Sequence, residues 1–154
     1  MSNAKTSTYE GFTAEERAAM KEHAQDQKKA ARRASQRVSQ ADKAAEATRD
    51  VLAKIAEMQP SDRAMAEAVH DIITSTFPAL APKLWYGMPA YSLNGKMICY
   101  FQSAEKFKAR YATLGFSDHA SLDDGTMWPA AFALTQVTPE TTTRITTLLH
   151  QATT

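Results

Sequence analysis

A single cysteine, Cys99, leaves the chain without an intramolecular disulfide. An excess of one charge is missing too. The 18 basic and 17 acidic residues leave a net charge of +1, so no global field selects nucleic acid or an anionic membrane. No run approaches the ~20 apolar residues that a membrane span needs. The N-terminus lacks the apolar core of a secretory signal, so the expected compartment is the cytoplasm and no membrane partner is expected. Glycine is scarce, and the five present build no phosphate loop: Gly125-Thr126 runs into Met127-Trp128-Pro129, not into a lysine-bearing helix start. The four histidines, His23, His70, His119 and His150, are scattered. No Ser-His-Asp or Cys-His arrangement is visible, so catalysis is not expected. At 154 residues, 44% of them hydrophobic, the chain is long enough for one domain with its own core.

What is present centres on Leu84-Trp85-Tyr86-Gly87-Met88-Pro89-Ala90-Tyr91-Ser92-Leu93, followed by Asn94-Gly95 and Lys96-Met97-Ile98-Cys99-Tyr100-Phe101. Asn-Gly between two β-prone runs signals a type I′ hairpin, because that turn needs positive φ at both central residues. A two-residue loop sets Leu93 opposite Lys96, Tyr91 opposite Ile98, Ala90 opposite Cys99 and Met88 opposite Phe101. The period of two then puts Met88, Ala90, Met97, Cys99 and Phe101 on one face, and Tyr91, Leu93, Ile98 and Tyr100 on the other. Cys99 reads as a small buried hydrophobe. Pro89 cannot donate to a ladder, which marks this strand as an edge, or as kinked or bulged.

The Trp-x-Gly-Met-Pro-Ala-Tyr motif of Trp85 to Tyr91, the following Asn-Gly-Lys and apolar strand, and the later Gly-Phe and Gly-Thr-x-Trp-Pro resemble the YdhG-like domain family of small bacterial cytosolic proteins. The resemblance runs from Thr48 to the C-terminus. It implies a frataxin-like α+β architecture and a role as an iron chaperone.

Upstream, Thr13-Ala14-Glu15-Glu16 reads as a capping box that opens a helix. Residues 13–34 are Ala-rich and charged, with little to bury, and read as a solvated helix; residues 35–47 read as a frayed helix or linker. Tyr9 and Phe12 are candidate anchors onto the rest of the chain. Lys28, Lys29, Arg32, Arg33 and Arg37 form a basic run on this segment. Without interleaved aromatics it reads as a solvated face, and a nucleic-acid partner is not expected. The expected division is therefore 1–47, a charged helical extension or linker, and 48–154, the α+β domain.

Within 48–154, Val51, Leu52, Ile55 and Met58 form the first apolar helical stripe, with Asp50 and Lys54 able to pair across a turn. Pro60 is read as ending that helix, and Ser61 as capping the next. Met65, Val69, Ile72, Ile73 and Phe77 form the second stripe, with His70 at its boundary. Residues 79–83 read as a Pro-punctuated loop, 103–106 as a turn, 108–116 as a third strand and 132–137 as a last strand. Thr138-Pro139-Glu140 opens a C-terminal helix lined by Ile145, Leu148, Leu149 and Ala152. The expected fold is α+β: an antiparallel sheet of about four strands, with helices packed mainly on one face and a charged helical extension before it.

Two places could carry function. Asp118, His119, Asp123 and Asp124 are the one close cluster of metal-capable side chains. Carboxylates with an imidazole suit iron or zinc, although the spacing also suits turn chemistry. Under the resemblance, this acidic loop is where iron would sit. The second place is an aromatic, basic-rimmed surface. Trp85, Tyr86, Met88 and Tyr91 on the hairpin, Trp128 folding back over them and Lys106 at the rim would suit an anionic small molecule or a protein partner. The ligand and the oligomeric state, a homodimer among the options, stay open at this point.

Overall fold

The computed structural model describes residues 13–35 and 39–154; Tyr9, Phe12, Arg37 and Val38, and the side chain of Arg33, lie outside that description. Helix α1 spans Ala14–Ser35 and begins as the capping box predicts, with the Thr13 hydroxyl accepting from the Glu16 N–H at 3.0 Å. Helix α2 spans Gln40–Ala56, with Ser39 as its N-cap. Residues 40–47, expected as frayed helix or linker, are helical and continuous with the stripe of Val51 and Ile55, and the 47/48 division falls inside this helix. Helix α3 spans Pro60–Thr76. Pro60 opens it at the first helical position instead of closing α2, because that position has no N–H to lose. Helix α4 spans Pro139–Ala152, with Thr138 capping the Thr141 N–H as expected.

Five antiparallel strands follow one another in space in chain order: β1 Ala81–Trp85, β2 Met88–Leu93, β3 Lys96–Gln102, β4 Ala112–Phe116 and β5 Ala131–Leu134. The α+β class and antiparallel sheet agree with expectation, with one strand more. The added strand is β1, where Pro82 had suggested a loop. Pro82 is tolerated because β1 is an edge strand. Trp85 pairs with Met88 across a two-residue turn in which Tyr86 and Gly87 both have positive φ, 51° and 72°. This turn repeats the geometry of the expected Asn94-Gly95 hairpin, whose φ values are 53° and 81°. Pro89 sits opposite Leu84, next to the hydrogen-bonded pair that closes the turn, so its missing N–H faces β3. The β2–β3 ladder begins only at Ala90, so Pro89 interrupts no pairing of that ladder.

The β2–β3 register departs from a uniform hairpin. Leu93 faces Lys96 and Ser92 faces Met97, but Tyr91 faces Cys99 and Ala90 faces Tyr100. Ile98 is an extra residue, a β-bulge, and its carbonyl accepts from the Ser117 N–H at 3.0 Å. The bulge changes the faces beyond it. Tyr91 joins Cys99 and Phe101 on the helix-covered face, while Trp85, Met88, Ala90 and Tyr100 share the other. The placement of Tyr91 with Ile98 and Tyr100 on one aromatic face is thus corrected.

The core lies between the sheet and three helices. Val51 and Ile55 of α2, Met65, Val69 and Ile73 of α3, and Ile145 and Leu149 of α4 pack with Tyr91, Cys99, Phe101 and Leu114. Burying each large aliphatic or aromatic side chain contributes about 1.5–3 kcal/mol. Cys99 is fully buried, and burial pushes its thiol up to about 12, as an inert hydrophobe requires. His70, expected at the boundary, is only 7% exposed, with Nδ1 2.9 Å from the Tyr91 hydroxyl. Among the described apolar side chains of α1, only Ala19 is buried.

Candidate functional site

The Tyr86-Gly87 turn ends the β1–β2 hairpin, and three other segments converge on it. The C-terminal half of α2 brings Lys54. A 3-10 turn, Glu105–Phe107, brings Lys106. Its position is fixed by Asp62 in the first turn of α3: that carboxylate, 4% exposed, accepts from the Ala104 and Glu105 N–H groups at 3.0 and 3.1 Å. The Ser103 hydroxyl accepts from the Lys106 N–H, and Lys108, with φ 52°, closes the turn. A cleft of about 360 Å³ lies between these parts, lined by Lys54, Met58, Asp62, Gly87 and Lys106 among others.

Helix α1 crosses the turn and puts a carboxylate into the cleft. Glu22 Oε2 lies 2.9 Å from Lys106 Nζ and 3.6 Å from Lys54 Nζ. Lys54 is also 3.6 Å from Glu57 Oε2. The Glu22 oxygen is buried and held by charge, without the alignment of a directed hydrogen bond. Gly87 permits the approach, since a β-carbon there would stand 1.3 Å from Glu22 Oε2. One turn further, partial burial raises the Asp26 carboxyl above the ordinary aspartate value, opposed by the Gly87 N–H and by Lys54 and Lys29.

Aromatic rings extend from the same turn. The His23 imidazole stacks on Tyr86 with centroids 4.1 Å apart and planes 19° apart. Trp85 meets the Tyr86 ring edge-on at 4.9 Å and lies 5.2 Å from Tyr100. Met88 is buried beneath, near Ala19 and Phe107. A larger cleft, about 440 Å³, separates α1 from α2 and β1, and the Lys29–Asp50 ion pair at 3.9 Å is part of its lining. Lys54 therefore turns to Glu22 and Glu57, and Asp50 meets Lys29.

Of the residues singled out from sequence, Trp85, Tyr86, Met88 and Lys106 come together at this corner. Tyr91 does not, because the bulge turns it into the core. Trp128 packs on the core from the segment that leads into β5, and β5 and β1 are opposite edges of the sheet, about 19 Å apart at ~4.8 Å per strand. Lys108 is an exposed partner of Glu105, and Arg110 lies over the Tyr111 ring. In the acidic loop, His119 Nε2 is 3.8 Å from Asp118 Oδ1, while Asp123 and Asp124 point to solvent. Among the described residues, no three His, Cys, Asp or Glu side chains form a metal-holding group.

Glu22, His23, Lys54 and Asp62 had no signal of their own in the sequence. Glu22 and His23 lie on a helix without an apolar stripe, and Asp62 looks like any acidic residue of a first turn. Among the described residues, no helix is long and apolar enough to cross a membrane. Comparison with family models, with curated proteins and with solved structures gave no match.

Proposed function

We propose that this chain is a binding protein, not an enzyme, and that it takes a small anion at the corner formed by Lys54, Lys106 and the Tyr86-Gly87 turn. One observation carries this reading: two ammonium groups from separate elements converge on a single carboxylate oxygen beside a glycine that leaves room for it. Lys106 is 15% exposed at its side chain and Lys54 31%. Partly desolvated cations attract an anion more strongly than exposed ones do. The rigid seat of Lys106, held by Asp62 and Ser103, limits the entropy lost on binding.

Titration calorimetry with inorganic phosphate and citrate tests this. Lys106→Gln is expected to weaken binding at least tenfold, or ~1.4 kcal/mol. Lys108→Gln removes the same charge two residues away and should leave affinity near that of the parent. Equal losses in the two variants would reduce the effect to diffuse charge and sink the site. The YdhG-like assignment, and the iron-delivery role it implies, rests on the motif from Trp85 to Tyr91. An anaerobic ferrous titration belongs beside the anion series. Ferrous binding with no anion response would favour the iron role.

A further inference from the structure

We infer that Glu22 and His23 of α1 occupy the site as an internal stand-in, and that the ligand they stand in for is a planar ring bearing a carboxylate or phosphate. This rests on the anion site proposed above and specifies what it binds. The two residues are adjacent in sequence and fill two different subsites. The Glu22 carboxylate lies between Lys54 and Lys106, and the His23 ring lies flat on Tyr86. Trp85 backs Tyr86 from the side, so the Tyr86 ring is a supported platform whose open face is covered by the His23 imidazole. A ligand carrying both an anionic group and a flat ring would meet both subsites.

Helix α1 is built to leave. Among its described apolar side chains only Ala19 is buried, while Met20 is 36% exposed. Its other ties include the His23–Tyr86 stack and the polar contacts of Glu22 with Lys54 and Lys106, of Lys29 with Asp50, and of Asp26 near the Gly87 N–H. One carboxylate oxygen of Asp26 is buried without a hydrogen bond, a cost that undocking removes. Clefts remain beside the helix toward α2 and β1, toward Lys54 and Lys106, and toward Met88 and Phe107, where a well-docked helix would interdigitate. A helix held this way gives up its position to a competing anion, and ligand binding and α1 docking exclude one another.

The test uses the full chain and four probes: benzoate and adenosine monophosphate, which carry rings, and acetate and inorganic phosphate, which do not. Glu22→Gln keeps the side-chain volume and removes the internal anion, so it should tighten binding of both ring-bearing probes at least fivefold. Glu140→Gln, on α4, controls for net charge and should bind like the parent. Tyr86→Leu should cost the ring-bearing probes about tenfold and leave acetate and phosphate unchanged. Hydrogen exchange in residues 14–35 should rise when a ring-bearing probe binds. The stand-in is overturned if Glu22→Gln binds like the parent, or if exchange in α1 falls on binding. If Lys106→Gln still abolishes phosphate binding in that case, the anion site stands without the stand-in. Absence of binding by every probe in both the parent and Glu22→Gln removes the anion site as well. Preference for benzoate over adenosine monophosphate assigns a carboxylate, and the reverse assigns a phosphate; equal response to ring-bearing and ring-free anions overturns the ring subsite.

Discussion

Tyr91→Ala is expected to destabilise the protein by about 3–5 kcal/mol, the range for emptying a buried aromatic site. For a chain of this size that lowers the melting midpoint by roughly 6–20 °C. Tyr91 is 1% exposed and packs among the residues of α2, α3 and the central strands, so the cavity has little means to collapse. Tyr91→Phe separates the ring from its hydroxyl. It retains the packing and leaves His70 Nδ1 buried without its 2.9 Å partner, at a cost of ~1–2 kcal/mol. Denaturant melts measure both, and an unchanged midpoint in Tyr91→Phe would mean the hydroxyl is not needed by His70. The same pair sets a pH dependence. Burial lowers the His70 pKa from its ordinary value near 6.5, against the opposing pull of Asp71. The unfolded chain then binds a proton at a higher pH than the folded one does. The contribution is complete above about pH 6.5 and is lost as pH falls through the depressed folded value. A stability profile flat from about pH 7.5 to 5 would contradict a neutral, buried His70.

Gly115→Val is the second large effect. Gly115 pairs with Tyr100 across β3 and β4, and a β-carbon at Gly115 would stand 2.2 Å from Tyr100 Cζ. The tyrosine ring lies over the glycine and fills the space that a side chain would need. Valine must push the ring aside, at a cost of ~1–3 kcal/mol for overpacking. Displacing Tyr100 also disturbs Trp85, 5.2 Å away, and through it the Tyr86 platform. Tyr100→Ala in the same background should recover part of the loss. A double-mutant cycle should therefore return a coupling above ~0.5 kcal/mol, and strict additivity would show that the ring and the glycine do not share that space.

Strong local signals in the sequence were reliable guides. Asn94-Gly95 fixed a turn that few other dipeptides form, Thr13 and Thr138 marked helix starts through their hydroxyls, and the periodic stripes of α2, α3 and α4 gave most of the core, Leu52 apart, which is exposed. Features that depend on a neighbouring strand or on the wider packing were not legible. The bulge at Ile98 has no marker in its own residues, yet one inserted residue moved Tyr91 from a supposed binding face into the core. Strand β1 was hidden by Pro82, which is excluded from a central strand but not from an edge. Pro60 reads as a stop or a start depending on where the preceding helix ends. At the candidate site, Trp85, Tyr86, Met88 and Lys106 were found because they cluster along the hairpin and the segment just after it. Lys54, Glu22 and His23 come from helices distant in sequence, and only the fold brings them to the turn.

The unbroken chain-order sequence of strands bears on how the molecule folds. Each strand pairs with its immediate predecessor, so every ladder closes a local loop and none waits for a distant segment. The two-residue connections at Tyr86-Gly87 and Asn94-Gly95 make the first three strands the cheapest to close in loop entropy. Such a topology has a low contact order for a β-containing protein, which favours fast folding. The docking of α4 against α3 joins segments far apart in the chain and carries a larger loop-closure cost than any of the strand ladders.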